Sequence, residues 1–473
     1  MVSILDEIRI YDATTHVGYG FPKESLEQAL KWEPHAIVAQ GTSTDPGPFY
    51  LGSGTSYTED ANVKRDLKLI ISSAKSLGIP FICSVGGAGA DIHVEKVLKL
   101  VDEISREENL KLRIAVVSGE IDKHWLKDKI TSGVSTRKLV NVERFNETLT
   151  IKDVDDSIRI VAQMGYEPIV KALDMDVDGV LTGRALDLSL IAALPLKYGF
   201  DKGLTFHMAK ILECGALAAE PGSGSDGMFG ILRKDCFHVK PPNPLRRCTI
   251  ASVAAHSFYE RDNPYMENLP DGYLDVASAN YTQLDEKTVT ISGSKFIPSG
   301  EYWIKLEGVK LVGYRTICIA GVRDPTIISK IDEIIDGVKN LGFKVFKDAG
   351  LRLNEDYTVV FRVYGKDGVM GETEPRRGLK AKEICIIIDV VAKEQNIANS
   401  ICAFLRSNFL HFGFEGRKTT AGNLAFPFSP SDIPVGPVYI FNIWHKIRLE
   451  NPYEPFKIRV IEFPAKMVRE VYG

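Results

Sequence analysis

A repeated order of strand, loop and helix in the first part of the chain constrains the fold more than any other feature. Apolar runs of strand length lie at 8–11, 35–39, 80–85, 112–117 and 178–181, with helical patterns between them, the last at 153–164. Continuous apolar strands that alternate with helices are typical of a parallel sheet covered by helices on both faces. This part is therefore predicted to be an α/β domain with a mostly parallel sheet.

The pattern changes near residue 230. Short strand candidates, one of them at 248–254, are separated by Asn-Pro, Asp-Gly and Ser-Gly turns, which predicts a β-rich middle region. Strands at 385–391 and 438–444 enclose a helix at 395–410, which predicts a final α+β unit. The expected domains are thus an α/β domain at 1–230, a β-rich and α+β region at 231–375, and an α+β domain at 376–473.

Composition narrows the class of protein. The 473 residues carry a formal net charge of −4, so nothing indicates a general affinity for nucleic acid. No stretch reaches the ~18 uninterrupted apolar residues that a membrane span needs, and the N-terminus lacks the features of a signal peptide. We expect a cytoplasmic protein with no membrane or nucleic-acid partner. The seven cysteines are scattered without a Cys-x-x-Cys pair, which indicates buried thiols.

The loops after the predicted strands carry most of the chemistry. Because parallel strands end at one edge of a sheet, these loops should bring together Asp45, Asp91, Glu120, Asp122, Lys123, Arg184 and Asp187. The pattern of Arg184 and Asp187 has two interpretations. The Arg184 guanidinium group could bind a substrate carboxylate or phosphate through two hydrogen bonds, or the two residues could form a local ion pair that caps a helix. Whether a divalent metal joins Asp45, Asp91 and Asp122 is left open.

A loop of glycine and serine follows an apolar helical segment. Its residues Ser223, Gly224, Ser225 and Asp226 favour an anion cradle, with Arg246 as a further substrate-binding residue. An ordinary flexible turn is the competing interpretation.

The candidate catalytic residues are carboxylates, a lysine and a histidine. Glu213 lies in an apolar helix segment, where burial would raise its pKa and suit it to proton transfer next to a carbonyl group. The competing interpretation is that Glu213 faces solvent or forms a structural pair with a lysine. His256 could act as a general base. With Asp45, Glu120 and Lys123 they form the predicted catalytic set. No nicotinamide or nucleoside-triphosphate motif is present, so a redox cofactor is not expected, and the cofactor is otherwise unknown.

Several long sequence segments resemble the acyclic terpene utilisation AtuA family. They are Thr182-Gly-Arg-Ala-Leu-Asp187, Leu212-Glu-Cys-Gly215, Pro221-Gly-Ser-Gly-Ser-Asp-Gly227 and Asn423-Leu-Ala-Phe-Pro-Phe-Ser-Pro-Ser-Asp432. The resemblance implies an α/β N-terminal region and a C-terminal part similar to the ferredoxin-like AtuA-associated domain. It also implies a catabolic setting with branched acyl-CoA intermediates, but it implies no catalytic residues.

Two functions are compatible with these observations. The first is a lyase or hydratase that acts on a small, anionic substrate, either a carboxylate or an acyl-CoA thioester. The second is a non-catalytic subunit that binds a ligand or holds a partner enzyme. The aromatic and proline residues of 423–437 also predict contact with a second copy of the chain.

Overall fold

The computed structural model describes residues 5–259, 261–376, 381–418 and 420–465. The chain forms two compact units. The first comprises the residues up to Lys310 together with those from Phe441 onward, and the second is Leu311–Ile440. The sequence predicted three domains with boundaries at 230 and 375. That these segments fold independently stays a prediction.

The first unit is built on one large sheet, and its strands run in the order β12-β13-β9-β8-β1-β2-β3-β7-β4-β19. Strands β1, β2, β3, β7 and β4 are mutually parallel, whereas the strands outside them pair in antiparallel fashion. The strands are β1 (Glu7–Asp12), β2 (Ala36–Ala39), β3 (Phe81–Ser84), β4 (Leu112–Val117), β7 (Gly179–Thr182), β8 (Met228–Arg233), β9 (Cys236–Lys240), β12 (Asn280–Gln283), β13 (Val289–Ser292) and β19 (Ile458–Phe463).

Apolar side chains that alternate along the parallel strands fill two cores, one on each face of this sheet. In β2, Ala36 and Val38 belong to one core, and Ile37 and Ala39 to the other. Helices α7, α8 and α9 contribute to the first core, and α1, α3 and α4 to the second. The predicted α/β fold is therefore confirmed. The helices of this unit are α1 (Lys23–Leu30), α2 (Pro48–Ser53), α3 (Asp60–Leu77), α4 (Asp91–Glu107), α5 (Lys123–Thr131), α6 (Ile151–Asp156), α7 (Glu167–Leu173), α8 (Asp187–Lys197), α9 (Lys202–Leu212) and α10 (Ile250–Phe258).

Two local predictions were wrong. The helix expected at 153–164 ends at Asp156, because the next apolar residues form β6 (Arg159–Ala162), which pairs with a long strand, β15 (Tyr302–Val322). The strand expected at 248–254 is instead the start of α10, where Thr249 caps the helix by accepting a hydrogen bond from the Ser252 amide at 3.0 Å.

Shorter strands complete the first unit. A three-stranded antiparallel sheet contains β10 (Met266–Leu269), β11 (Gly272–Asp275) and β14 (Lys295–Pro298). A further strand, β5 (Thr136–Lys138), pairs with the last residues of β18 (Asp432–Leu449).

The second unit combines two long helices with an antiparallel sheet. Its elements follow one another along the chain in the order β-α-β-β-α-β. Its sheet pairs β17 (Ile384–Ala392) with both β16 (Tyr357–Tyr364) and the second half of β15. The helices α12 (Ile331–Asp348) and α13 (Gln395–His411), with α11 (Pro325–Ser329) before them, supply a separate apolar core. The relation of this unit to the AtuA-associated domain stays a prediction.

None of the helices in the described ranges is both long and apolar enough to cross a membrane. Phe428 and Val435, in the segment expected to contact a second copy, are about half exposed. Contact with a second copy stays a prediction.

Candidate active site

The candidate site lies at the edge of the large sheet where the parallel strands end. We define the rim cluster as Asp12, Asp45, Arg184, Asp187, Lys210 and Glu213, whose charges act on one another. Asp12 ends β1, Asp45 follows β2, Arg184 follows β7, and Asp187 begins α8. Such an edge is where ligands bind in open α/β sheets.

The end of α9 is joined to this edge by hydrogen bonds. The Gln40 side chain donates to the Glu213 carbonyl oxygen at 2.8 Å, and Thr15 Oγ1 donates to the Cys214 carbonyl oxygen at 2.6 Å. Lys210 and Glu213, near the end of the same helix, are thereby held beside the loops that follow β1 and β2.

Arg184 is buried and bound within the protein. Its Nε donates to Glu307 Oε2 at 2.9 Å, and its Nη1 donates to the carbonyl oxygens of Thr42 and Ala185 at 3.0 and 3.1 Å. The Arg184 side chain is 4% exposed and that of Glu307 is 0% exposed. This is the arrangement of an internal ion pair, and the role of Arg184 as a substrate anchor stays a prediction.

Asp187 lies between the interior and solvent. Its carboxylate is 3.7 Å from Arg184 Nη1, and 29% of its side chain is exposed. Burial raises the pKa of Asp187 to about 6, Arg184 opposes the increase, and the nearby charge of Asp45 adds to it. Asp45 itself is exposed.

Glu213 is buried beside a lysine. Lys210 Nζ donates to Glu213 Oε1 at 2.7 Å, and both side chains are less than a tenth exposed. Burial raises the pKa of Glu213 to about 7 despite the opposing effect of Lys210, and repulsion from Asp187 contributes to the increase. The geometry thus gives Glu213 the raised pKa expected from its apolar sequence context, while its catalytic role stays a prediction.

Asp12 is a member of the rim cluster that the sequence motifs did not reveal. It is 1% exposed, and neither of its carboxylate oxygens has a hydrogen bond of regular geometry. Its pKa is raised by burial, by Glu213 and by Asp187, and the Gly215 amide offsets part of the increase.

Several buried polar atoms without regular hydrogen bonds belong to residues at the ends of β1 and β2 or at the start of α8. Within the described residues they include Tyr11 Oη, both carboxylate oxygens of Asp12, Thr42 Oγ1, Thr44 Oγ1, Asp187 Oδ1 and Ser189 Oγ. Buried polar groups are usually paired, so such a group of atoms marks a place for a ligand or for solvent.

The loop at 222–227 is fixed by its own side chains. Asp226 is fully buried and accepts hydrogen bonds from Asn243 at 2.6 Å and from Arg246 Nε at 2.7 Å. The Ser223 amide donates to the Ala216 carbonyl oxygen at 3.2 Å, and the Ser225 amide donates to Ser223 Oγ at 3.1 Å. These two amides are therefore occupied within the protein. Ligand binding by Ser223, Gly224, Ser225, Asp226 and Arg246 stays a prediction.

The glycine that this loop requires is Gly227. A Cβ there would lie 2.5 Å from the Tyr11 ring and 2.6 Å from the Asp12 carbonyl oxygen, whereas a Cβ at Gly224 would meet nothing closer than Thr15 Oγ1 at 3.5 Å. Gly227→Ala is therefore expected to lower the free energy of unfolding by about 1–3 kcal/mol. Gly224→Ala is the matched control, expected to range from no change to a gain of about 1 kcal/mol. Urea unfolding checks both, and equal effects would contradict the packing argument.

The predicted residues after β3 and β4 form a second group. The Asp91 amide donates to Glu120 Oε2 at 2.9 Å, and burial raises the pKa of Glu120. Lys123 Nζ donates to the Ser157 carbonyl oxygen, while Asp122 caps α5 by accepting from the His124 amide at 2.8 Å. Local partners thus hold these side chains, and catalytic roles for Glu120 and Lys123 stay predictions.

His256 lies in α10 rather than after a strand, and it is 8% exposed. Its ring packs against Tyr259 with ring centroids 4.8 Å apart. Burial, together with Lys210 and Arg261, lowers the pKa of His256 to about 4, so the imidazole is neutral at neutral pH. It has the charge state of a general base, a role that stays a prediction.

A second histidine lies at the rim without having been expected from the sequence. His16 Nε2 accepts a hydrogen bond from Tyr57 Oη at 2.6 Å, and burial lowers the pKa of His16 to about 4. The sequence feature that could have identified His16 is its position in the loop directly after β1. Loops that follow parallel strands meet at one edge of the sheet, which is why the other candidate loops were chosen.

The arrangement of the side chains limits where a metal ion could bind. In the described ranges, no group of three or more histidine, cysteine, aspartate or glutamate residues is arranged to hold one.

Residues 52–222 match the sequence model of the acyclic terpene utilisation family protein AtuA. The matched range contains Arg184, Asp187, Lys210 and Glu213 of the rim cluster, whereas Asp12 and Asp45 precede it. Neither a curated protein nor a solved structure matches the chain. Over residues 52–222, therefore, the chain is similar to the acyclic terpene utilisation AtuA family.

Proposed function

We propose that this protein is an acid–base enzyme of the lyase or hydratase type, which acts on a small carboxylate or an acyl-CoA thioester in catabolism. The observation that carries the proposal is the pair formed by Asp187 and Glu213. Burial raises the pKa of Asp187 to about 6 and that of Glu213 to about 7, and the charge of Asp187 adds to the increase at Glu213. Two carboxyl groups that titrate near neutral pH in one cluster are characteristic of catalytic sites.

The pair can supply both proton transfers that the removal of water requires. With Asp187 charged and Glu213 protonated, Asp187 takes the proton from the carbon next to the substrate carbonyl group. The electrons of that C–H bond form the C=C bond as the C–O bond breaks, and Glu213 gives its proton to the departing hydroxyl group. One water molecule leaves, and the two carboxyl groups have exchanged protonation states. The reverse sequence hydrates the double bond.

Lys210 and Arg184 take no part in the proton transfers, but they adjust the pKa values of the two carboxyl groups. Lys210 contacts Glu213 at 2.7 Å, and Arg184 acts on Asp187 from 3.7 Å. Both cations lower the pKa of their neighbouring carboxyl group, which keeps it from rising further through burial. The family name, which refers to acyclic terpene utilisation, supports a catabolic role.

The pH dependence of turnover tests the proposal. Once an active hydroxyacyl substrate is found by incubating the purified chain with thioesters and hydroxy acids, kcat/KM is expected to follow a bell-shaped curve. Activity should fall below about pH 6, where Asp187 takes up a proton, and above about pH 7, where Glu213 loses one.

A flat profile across this range would contradict the assignment of the pair. Failure of the purified chain to turn over any candidate, with turnover restored by a partner protein, would favour the alternative of a non-catalytic ligand-binding or scaffolding subunit.

A further inference from the structure

Strand β16 lies at the end of the second unit's sheet, and in the described part of the chain the only strand that it pairs with is β17. All of its residues except Arg362 are β-branched or aromatic, which favours strand pairing. Natural edge strands are usually short, or carry proline or lysine, which prevents pairing with other chains. Strand β12, at an edge of the large sheet, is short and mostly polar, whereas β16 is eight residues long and has neither proline nor lysine.

The backbone groups on the outer side of β16, the side turned away from β17, follow from the pairing pattern. The Asp356 carbonyl oxygen accepts from the first amide after β17 at 3.3 Å, whereas the Tyr357 and Val363 carbonyl oxygens accept from amides in the turns before and after β16. Alternate residues of an antiparallel strand direct their N–H and C=O groups to the same side. Val359 and Phe361 therefore direct theirs outward, where no strand of the described ranges covers them.

The side chains of β16 are also incompletely covered. On the face of the sheet that the helices cover, Val359 and Phe361 are only partly buried, together with Phe343 of α12. On the opposite face, Val360 is 42% exposed. A further strand beside β16 would remove apolar surface from water on both faces.

We infer that β16 pairs in antiparallel fashion with β16 of a second copy of the chain, about a two-fold axis that passes beside Val360. In this register Val359 exchanges both N–H···O bonds with Phe361 of the partner subunit, and Phe361 does the same with Val359 of the partner subunit. The two Val360 side chains face each other across the axis. The sheets of the two copies then form one continuous sheet.

The occupant is a second copy because the outer side of β16 is complementary to itself. Turns occupy both ends of this side, so the open part is centred on Val360 and is the same in each copy. A β-branched residue opposite an aromatic residue is a favourable cross-strand pair. Arg362, whose charge is balanced by Asp389 at 3.9 Å, lies opposite Thr358 of the partner subunit, so no like charges meet. A two-fold contact of this kind is the commonest form of self-association.

Sedimentation of the full chain at micromolar concentration tests the inference. The parent protein is expected to have twice the 52.4 kDa mass of one chain. Val360→Lys places two like charges directly opposite each other and should raise the dissociation constant at least several-fold. Val435→Lys is the matched control, because Val435 is exposed on β18 in the same unit and lies outside the inferred contact. It should leave the mass unchanged, and circular dichroism checks that both variants are folded.

Engineered disulfides test the register. Directly opposite residues that exchange no hydrogen bonds have Cα atoms about 4.5 Å apart, within reach of a disulfide. Val360→Cys should therefore cross-link to the same position of the partner subunit in the presence of oxidised glutathione. Two copies of Thr358→Cys would lie more than about 13 Å apart and should not cross-link. Non-reducing gel electrophoresis measures both, with the parent protein as the background for its own cysteines.

Each outcome supports or overturns the inference. Weakened association in Val360→Lys alone, with cross-linking at position 360 alone, supports it. A monomeric parent chain overturns it, as does a dimer that Val360→Lys leaves intact. Dissociation by Val435→Lys instead would place the contact in the segment 423–437. Cross-linking of Thr358→Cys as readily as of Val360→Cys would contradict the register.

Discussion

Replacing Glu307 with alanine is expected to lower the free energy of unfolding by about 3–5 kcal/mol, because it removes the nearer charged partner of the buried Arg184. Arg184 Nε lies 2.9 Å from Glu307 Oε2, and both side chains are almost fully buried. Burial alone would raise the pKa of Glu307, but Arg184 and Lys305 outweigh it and lower that pKa to about 2. Urea unfolding at neutral pH measures the loss.

Two controls make the result specific to the buried pair. Glu462→Ala removes the exposed partner of Arg113, at 3.6 Å, and should cost no more than about 1 kcal/mol. The double variant Arg184→Met, Glu307→Leu replaces the pair with apolar side chains and should regain much of the lost stability. An effect of Glu307→Ala as small as that of Glu462→Ala would refute the argument that the pair is a structural cross-link.

The sign of the pH effect follows from the lowered pKa. Since the pKa of Glu307 is lower in the folded chain than in the unfolded chain, its contribution to stability is complete near neutral pH. That contribution is lost as the pH falls from the unfolded-state pKa toward about 2. The Glu307→Ala variant should therefore differ less from the parent protein in acid than at neutral pH.

The parallel sheet could be predicted because each of its strands is specified locally. The run Ala36–Ala39 is apolar at every position, as a strand buried on both faces requires, and a glycine-rich loop follows it. The same rule placed Arg184 and Asp187 at a strand end, where the structure has them. It applies equally to Asp12, which ends β1.

The partners of these side chains could not be predicted in the same way. Arg184 and Glu307 are separated by 123 positions, and the strand that carries Glu307 gives no local sign of a buried ion pair. An arginine at a strand end therefore suggested an anion site, whereas the tertiary structure supplies it with a carboxylate. Pairing of β8 with β1 also depends on distant residues, so the extension of the sheet beyond residue 230 had no local signal.

Glu213→Gln is expected to reduce kcat by about 10²–10⁴-fold, the usual contribution of a general acid or base. Glutamine keeps an oxygen that can accept the hydrogen bond from Lys210 Nζ, now 2.7 Å from Glu213, so the fold should be retained. Because glutamine cannot lose a proton near neutral pH, the alkaline limb of the pH profile should disappear with the activity. The measurement is steady-state turnover of the substrate found for the parent protein, across the range in which the parent shows both limbs.

Lys210→Met provides the second half of this test. Lys210 lowers the pKa of Glu213, so its removal should move the alkaline limb to higher pH, since Glu213 then holds its proton more strongly. The two variants should therefore differ in their pH profiles. Glu213→Gln should lose the alkaline limb, whereas Lys210→Met should keep it at a higher pH. If Glu213→Gln instead retains the limb, another group donates the proton. Asp12 would then be the first carboxyl group to examine, because burial and both carboxylates of the pair raise its pKa as well.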